Sequence, residues 1–283
     1  MTRRFAWSVA VSAAALVAVF AIPQARAAKT TVSQEPNAQP NPYKPVDNFF
    51  QLPNGRKFGM VPTAHIDAKG NIWAIDRCGG ISCVDKPDVN PVLEFDQSGK
   101  LIRQFGAGLF VRPHGLFIDK EGNIWTTDEQ AKDNKGYQVI KFSPEGKELM
   151  RLGTAGVAGE TPTTFNHPSD IAIGRNGDIF VADGHGGEDS NARIVKFTKD
   201  GKFIKAWGKK GNGPSEFEAP HSLAFDSKGR LFVADRGNNR IQIFDQDGKL
   251  LDQWKQFSRP TGIYIDAHDT LYVADSDSDK ARN

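Results

Sequence analysis

From Val61 to Asp275 the chain repeats one pattern: an alternating apolar run, a short polar turn that usually holds Gly, and a second β-rich run ending in Asp. The copies run from Val61 to Asp76, Arg112 to Asp128, His167 to Asp183, Ala219 to Asp235 and Arg259 to Asp275, the first being one residue short. Alternation with a period of two, broken by a glycine turn, predicts a β-hairpin. A second hairpin follows four of the copies, over Val92 to Phe105, Gln138 to Leu152, Arg193 to Trp207 and Arg240 to Trp254. These turn at Ser98-Gly99, Glu145-Gly146, Asp200-Gly201 and Asp247-Gly248. No window of useful length carries the period of an amphipathic helix.

Two hairpins per unit make a four-stranded antiparallel sheet, and a unit of about 40–55 residues matches a propeller blade. A β-sandwich predicts no such recurrence. The fold class is therefore all-β, a β-propeller, with four full blades and the first hairpin of a fifth before Asn283. Propellers close when their terminal strands share a blade, which removes free edges. Phe49 to Lys57 is the expected closing strand. A six-bladed ring is expected, with its last blade or blades incomplete in this sequence.

The N-terminus reads as an export signal. Arg3 and Arg4 precede an apolar run from Phe5 to Ile22, and Ala25-Arg26-Ala27 supplies small residues for cleavage. About 18 apolar residues could also just span a bilayer, but Pro23 and the cleavage site favour removal. The expected domains are a signal peptide over 1–27, a flexible linker over 28–45 and the propeller over 46–283, in a periplasmic or secreted protein. Formal net charge is +2 with both signs interspersed. That points to neither nucleic acid nor, after signal cleavage, a membrane surface as partner; a monomer acting on a small-molecule or peptide substrate is expected. Cys78 and Cys83 are the only thiols, and so close a pair in an oxidising compartment predicts a disulfide.

Propeller geometry selects candidate site residues, because the start of each first strand and the residue past each second strand meet at one channel mouth. After the Pro of each first strand stand Thr63, His114, Ser169, His221 and Thr261. Past the second strands stand Arg77, Glu129, Gly184-His185, Arg236 and Ser276. Histidines and arginines thus converge. His114 and His221 lie two blades apart, so a ligand from a sixth blade would complete a threefold set, and three His with an open position is a catalytic zinc arrangement. A Pro-His pair can also do no more than cap its strand with a hydrogen bond.

The segments Arg112-Pro113-His114-Gly115, Pro168-Ser169-Asp170, Pro220-His221-Ser222 and Ala234-Asp235-Arg236-Gly237-Asn238-Asn239 resemble NHL repeats of the lyase part of peptidylglycine α-amidating enzyme. The resemblance covers most of Val61 to Trp254. It implies a six-bladed propeller with a three-His zinc site and a structural calcium. The implied activity is that of a peptidylamidoglycolate lyase, a carbon–nitrogen lyase that cleaves peptidyl-α-hydroxyglycine to a peptide amide and glyoxylate. His114 and His221 would then be zinc ligands, and Arg77 and Arg236 would hold the substrate carboxylate. The family's catalytic tyrosine follows Asp-Gly; here His185 follows Asp183-Gly184 and is the expected base. Phe232 and Ile243 occupy two of the family's disulfide positions. The alternative from another class is a non-catalytic NHL propeller that binds a peptide or protein across its channel face. A calcium-dependent lactonase-like propeller would want paired acids at the mouth, where this sequence places His and Arg.

Overall fold

The computed structural model describes residues 43–277; the expected signal peptide, most of the expected linker and residues 278–283 lie outside the described residues. Eighteen antiparallel strands follow in chain order. The first sheet holds β1 (Thr63–Ile66), β2 (Ile72–Ile75), β3 (Val92–Phe95) and β4 (Leu101–Phe105). The second holds β5 (Pro113–Ile118), β6 (Ile124–Lys132), β7 (Lys135–Phe142) and β8 (Glu148–Leu152). The third comprises β9 (Pro168–Ile173), β10 (Ile179–Asp183), β11 (Arg193–Phe197) and β12 (Phe203–Trp207). The fourth comprises β13 (Pro220–Phe225), β14 (Leu231–Asp235), β15 (Arg240–Phe244) and β16 (Leu250–Trp254), and β17 (Pro260–Ile265) pairs with β18 (Leu271–Asp275) alone. Each sheet is a propeller blade. The inner strands β1, β5, β9, β13 and β17 stand side by side around the channel. No sixth sheet forms among the described residues.

The turns explain the hairpins. Asp67, Asp119, Asp226 and Asp266 each accept the backbone N–H four residues on, at 2.8–2.9 Å. The left-handed position inside these turns falls to Gly70, Gly122 and Gly229 in three copies and to Asp269 in the last. The core then lies between blades, not within one layer. Trp73, Val92, Phe110, Ile124 and Phe142 join the first blade to the second, and Trp125, Phe165, Ile179 and Val195 join the second to the third. Phe180, Phe217, Val233 and Phe244 join the third to the fourth. Central strands are buried on both faces while the outer strands β4, β12 and β16 are largely open, as the repeat's changing alternation implies.

The aspartate that ends each second strand binds its blade to the preceding loop. Asp76, Asp128, Asp183, Asp235 and Asp275 accept backbone N–H groups from Gly59, Val111, Asn166, Glu218 and Ser258, at 2.7–2.8 Å. Arginine completes several of these. Arg193 Nε lies 2.8 Å from Asp183, and Arg240 Nε lies 2.8 Å from Asp235. Gln138 takes the equivalent place in the second blade, and burial pushes Asp128 up to about 7.

Phe49 to Lys57 does not form the expected closing strand. Gln51 makes one parallel bridge with Lys100, Arg56 Nη2 reaches Asp76 at 2.5 Å, and Leu52 and Phe58 pack on the first blade's own cluster. The segment supplies its blade's missing arginine, and that demand outweighs strand pairing. Cys78 and Cys83 are disulfide-bonded.

Unreduced purified protein should weigh two hydrogens less than its reduced form by mass spectrometry; two alkylatable thiols would contradict the disulfide. Arg240 also donates to the carbonyls of Asn212, Gly213 and Glu216. Arg240→Ala strands the buried Asp235 and should lower stability by about 3–5 kcal/mol in urea unfolding.

Candidate metal centre

The residue after each first-strand proline reaches across to the next blade. Thr63 Oγ1 donates to His114 O at 2.8 Å, and His114 Nδ1 donates to Ser169 O at 2.7 Å. Ser169 Oγ donates to Pro220 O at 2.6 Å, and His221 Nδ1 donates to Thr261 O at 2.6 Å. This belt of bonds joins neighbouring blades, so each Pro-His imidazole ties its strand to the next blade's inner strand rather than capping its own. It also fixes the proton of both imidazoles on Nδ1, because a carbonyl can only accept. Nε2 of each ring is left with its lone pair for a metal.

His185 joins them. Its ring centroid lies 4.7 Å from that of His114 and 5.0 Å from that of His221, and the last two are 4.8 Å apart. One nitrogen from each falls within 4.8 Å of the others, a group that could hold a metal ion. The third imidazole of the cluster therefore comes from the third blade's loop, where the sequence reading looked to a sixth blade. Gly184 makes this possible. Its φ is +152°, and a Cβ there would fall 2.1 Å from Asn191 O, so only glycine lets the loop turn back on itself. Asn191 Nδ2 then ties the far end of the loop to Asp183 at 2.7 Å. His185, the expected base, is thereby brought beside His114 and His221.

Glu129 is the residue that sequence reasoning passed over. It is fully buried, with Oε1 2.6 Å from Arg77 Nη2 and 3.3 Å from Arg112 Nε, and Oε2 3.0 Å from His185 Nδ1. Burial works to raise its pKa, but His185, His114 and Arg77 hold it at about 2. Burial drives His114 down to about 3 and His221 well below the ordinary imidazole range, so both rings are neutral at pH 7. Neutral imidazoles are the ligating form. Glu129 occupies the same repeat position as Arg77 and Arg236, which was the signal available in the sequence.

The two arginines separate. Arg77 is buried, paired with Glu129, and donates from Nε to Pro113 O at 3.1 Å. Its guanidinium neutralises Glu129, a buried carboxylate that would be costly to leave unpaired. Arg236 is half-buried, and its Nη2 donates to His185 O at 2.6 Å. Desolvation first, then the neighbouring Arg259 charge, lower it to about 10. Arg236 remains the guanidinium suited to an incoming anion.

Comparison with known proteins bears on the fold and the sequence family. A family model described as NHL repeat matches residues 217–244. Among solved structures, a streptogramin B lyase superposes with a TM-score of 0.55 at 21% identity, over 80% of this chain and 65% of that one. A gluconolactonase from Xanthomonas campestris gives 0.55 at 18% identity, over 76% and 69%. These define the class: the chain has a β-propeller fold, with an NHL repeat matched over residues 217–244. Its sequence relatives narrow it. The chain is 35% identical over 227 residues to a probable peptidyl-α-hydroxyglycine α-amidating lyase of Caenorhabditis elegans, covering 74% of this chain and 61% of that one. It is 33% identical to peptidyl-α-hydroxyglycine α-amidating lyase 1 of Drosophila melanogaster, over 68% and 38%. It is also 35% identical to human NHL repeat-containing protein 3, over 64% and 53%. The chain thus spans about half of the human relative's length and is an amidating-lyase relative by sequence.

Glu129→Gln should weaken zinc affinity about 10–100-fold in chelator competition, as removal of a ligand's supporting carboxylate does. Circular dichroism distinguishes this from unfolding.

Proposed function

We propose that this chain is an exported, zinc-dependent lyase that cleaves peptidyl-α-hydroxyglycine, or a related small hydroxylated carboxylate, to an amide and glyoxylate. The observation that carries the reading is the cluster of His114, His185 and His221, in which Nδ1 of His114 and of His221 donates to a backbone carbonyl and Nδ1 of His185 lies 3.0 Å from Glu129 Oε2. Three imidazoles with an open position suit catalytic zinc better than the oxygen-loving cations. The lyase relatives support the reaction class, and the disulfide supports an oxidising compartment.

The chain's own groups divide the work. Arg236 presents a planar fork that can take the substrate carboxylate in two parallel hydrogen bonds. Glu129 holds His185 in place and offsets the charges of Arg77 and Arg112. His114 and His221 would hold the zinc through Nε2, on rings that the inter-blade belt prevents from turning. Bound zinc would supply a Lewis acid that lowers the pKa of a hydroxyl group held against it. Human NHL repeat-containing protein 3 is named only for its repeats, and that likeness leaves a non-catalytic binding module as the second reading.

Elemental analysis should find about one zinc per chain, and Ala at His114, His185 or His221 should release it from protein that stays folded. The wild-type protein should release glyoxylate from a peptidyl-α-hydroxyglycine. Arg236→Lys should weaken glyoxylate binding about tenfold or more through loss of charge-assisted hydrogen bonds. No zinc uptake at neutral pH would remove the lyase reading and leave the binding module.

A further inference from the structure

With His185 among the metal-binding imidazoles, the reaction proposed above has no proton acceptor among the residues so far assigned. Strands β6 and β7 run for nine and eight residues, against five in the corresponding strands of the third and fourth blades. Tyr137 lies on β7 with φ +53°, between Gly136 and Gln138. The same register position in the fourth blade, just before Arg240, is Asn239 with φ +55°. The fold therefore asks for a left-handed residue at this point. Asn meets that demand easily, whereas a large aromatic side chain there is strained. A costly residue at a mouth position points to what its side chain does.

Tyr137 Oη lies 3.4 Å from His167 Nε2, and the two rings pack edge to face with centroids 5.3 Å apart. His167 also sits in the left-handed region, with φ +66°, and Ala219 repeats that backbone in the next blade with φ +62°. The conformation thus belongs to the fold and the imidazole does not. His167 O accepts the N–H of Gly184, so the pair stands directly beside the loop that delivers His185. Both side chains are half-buried, and Glu129 lies close enough to act electrostatically on both.

We propose that Tyr137 and His167 are the proton-transfer pair of the lyase reaction, an inference that rests on that reading of the site. Tyr137 Oη takes the proton of the substrate's α-hydroxyl as its own proton passes to His167 Nε2. The hydroxyl oxygen forms the carbonyl of glyoxylate, the carbon–nitrogen bond breaks, and its electron pair stays on the amide nitrogen. The pair then returns one proton to that nitrogen, so no oxidant, reductant or net proton is needed. His167 must be neutral to accept. Burial lowers its pKa below the usual imidazole value against the raising influence of Glu129 and Asp189, with His185 and Arg112 the other titratable or charged groups facing it. Activity should therefore persist below pH 6.5 and fall as pH drops through the His167 pKa.

The test compares wild-type, Tyr137→Phe and His167→Gln proteins, each loaded with zinc, on a peptidyl-α-hydroxyglycine. Zinc content, glyoxylate affinity and melting temperature should stay unchanged and KM should move less than about threefold, while kcat falls about 100-fold or more. His167→Gln should also lose the acid limb of the rate profile. Independently of activity, the nitrogen resonance of His167 Nε2 should shift in Tyr137→Phe. Variants within threefold of an active wild type in kcat would overturn the pair alone. A wild-type protein that binds zinc yet releases no glyoxylate would overturn the lyase reading and the pair together.

Discussion

A buried aspartate at the end of each blade's second strand holds the molecule's functional end in place. Its carboxylate accepts backbone N–H groups from the loop that leads into the innermost strand, so one side chain joins the two segments that meet at the channel mouth. Burying that charge is costly unless it is fully paired. The chain recruits whatever cation is near: Arg193 and Arg240 from the adjoining strand, and Arg56 from outside the repeat. The residue immediately after the aspartate then has little freedom. Its N–H is bound to the carbonyl two positions before the inner strand's second residue, as in Glu129 to Arg112 and Arg236 to Ala219.

That constraint turns a structural position into a site position. Arg77, Glu129, Gly184 and Arg236 are successive occupants of one repeat frame, and the fold aims them at one another. The result is a charge arrangement in which Glu129 neutralises Arg77 and steadies His185, while Arg236 keeps its fork toward the mouth. The belt of side-chain bonds between inner strands works in the same way. His114 and His221 stitch blades together through Nδ1, and the same bond presets the tautomer that a metal requires. Stability and metal readiness come from one hydrogen bond, so the site adds little strain to the scaffold there. Backbone strain falls instead on residues such as Tyr137.

Several elements were legible in the residues alone. Alternation, turn glycines and a recurring terminal Asp give the hairpins, because strand pairing and turn chemistry are local. The same frame placed His114, His185, His221 and Arg236 at one mouth, and the close spacing of Cys78 and Cys83 gave the disulfide. The Phe49 to Lys57 segment was misjudged since its role depends on Asp76, a partner outside its own pattern.

Tertiary structure alone decided which of the converging charges are already paired. Sequence order puts Arg77 and Arg236 in equivalent positions, yet one lies against a buried carboxylate and the other does not. It also decided that the third imidazole comes from the loop after β10, and that Tyr137 meets His167 across 30 residues. The sequence determined the repeat because each hairpin is specified by its own residues. Ion pairing and metal-ligand geometry depend on distances between blades, and those are set only when the blades pack.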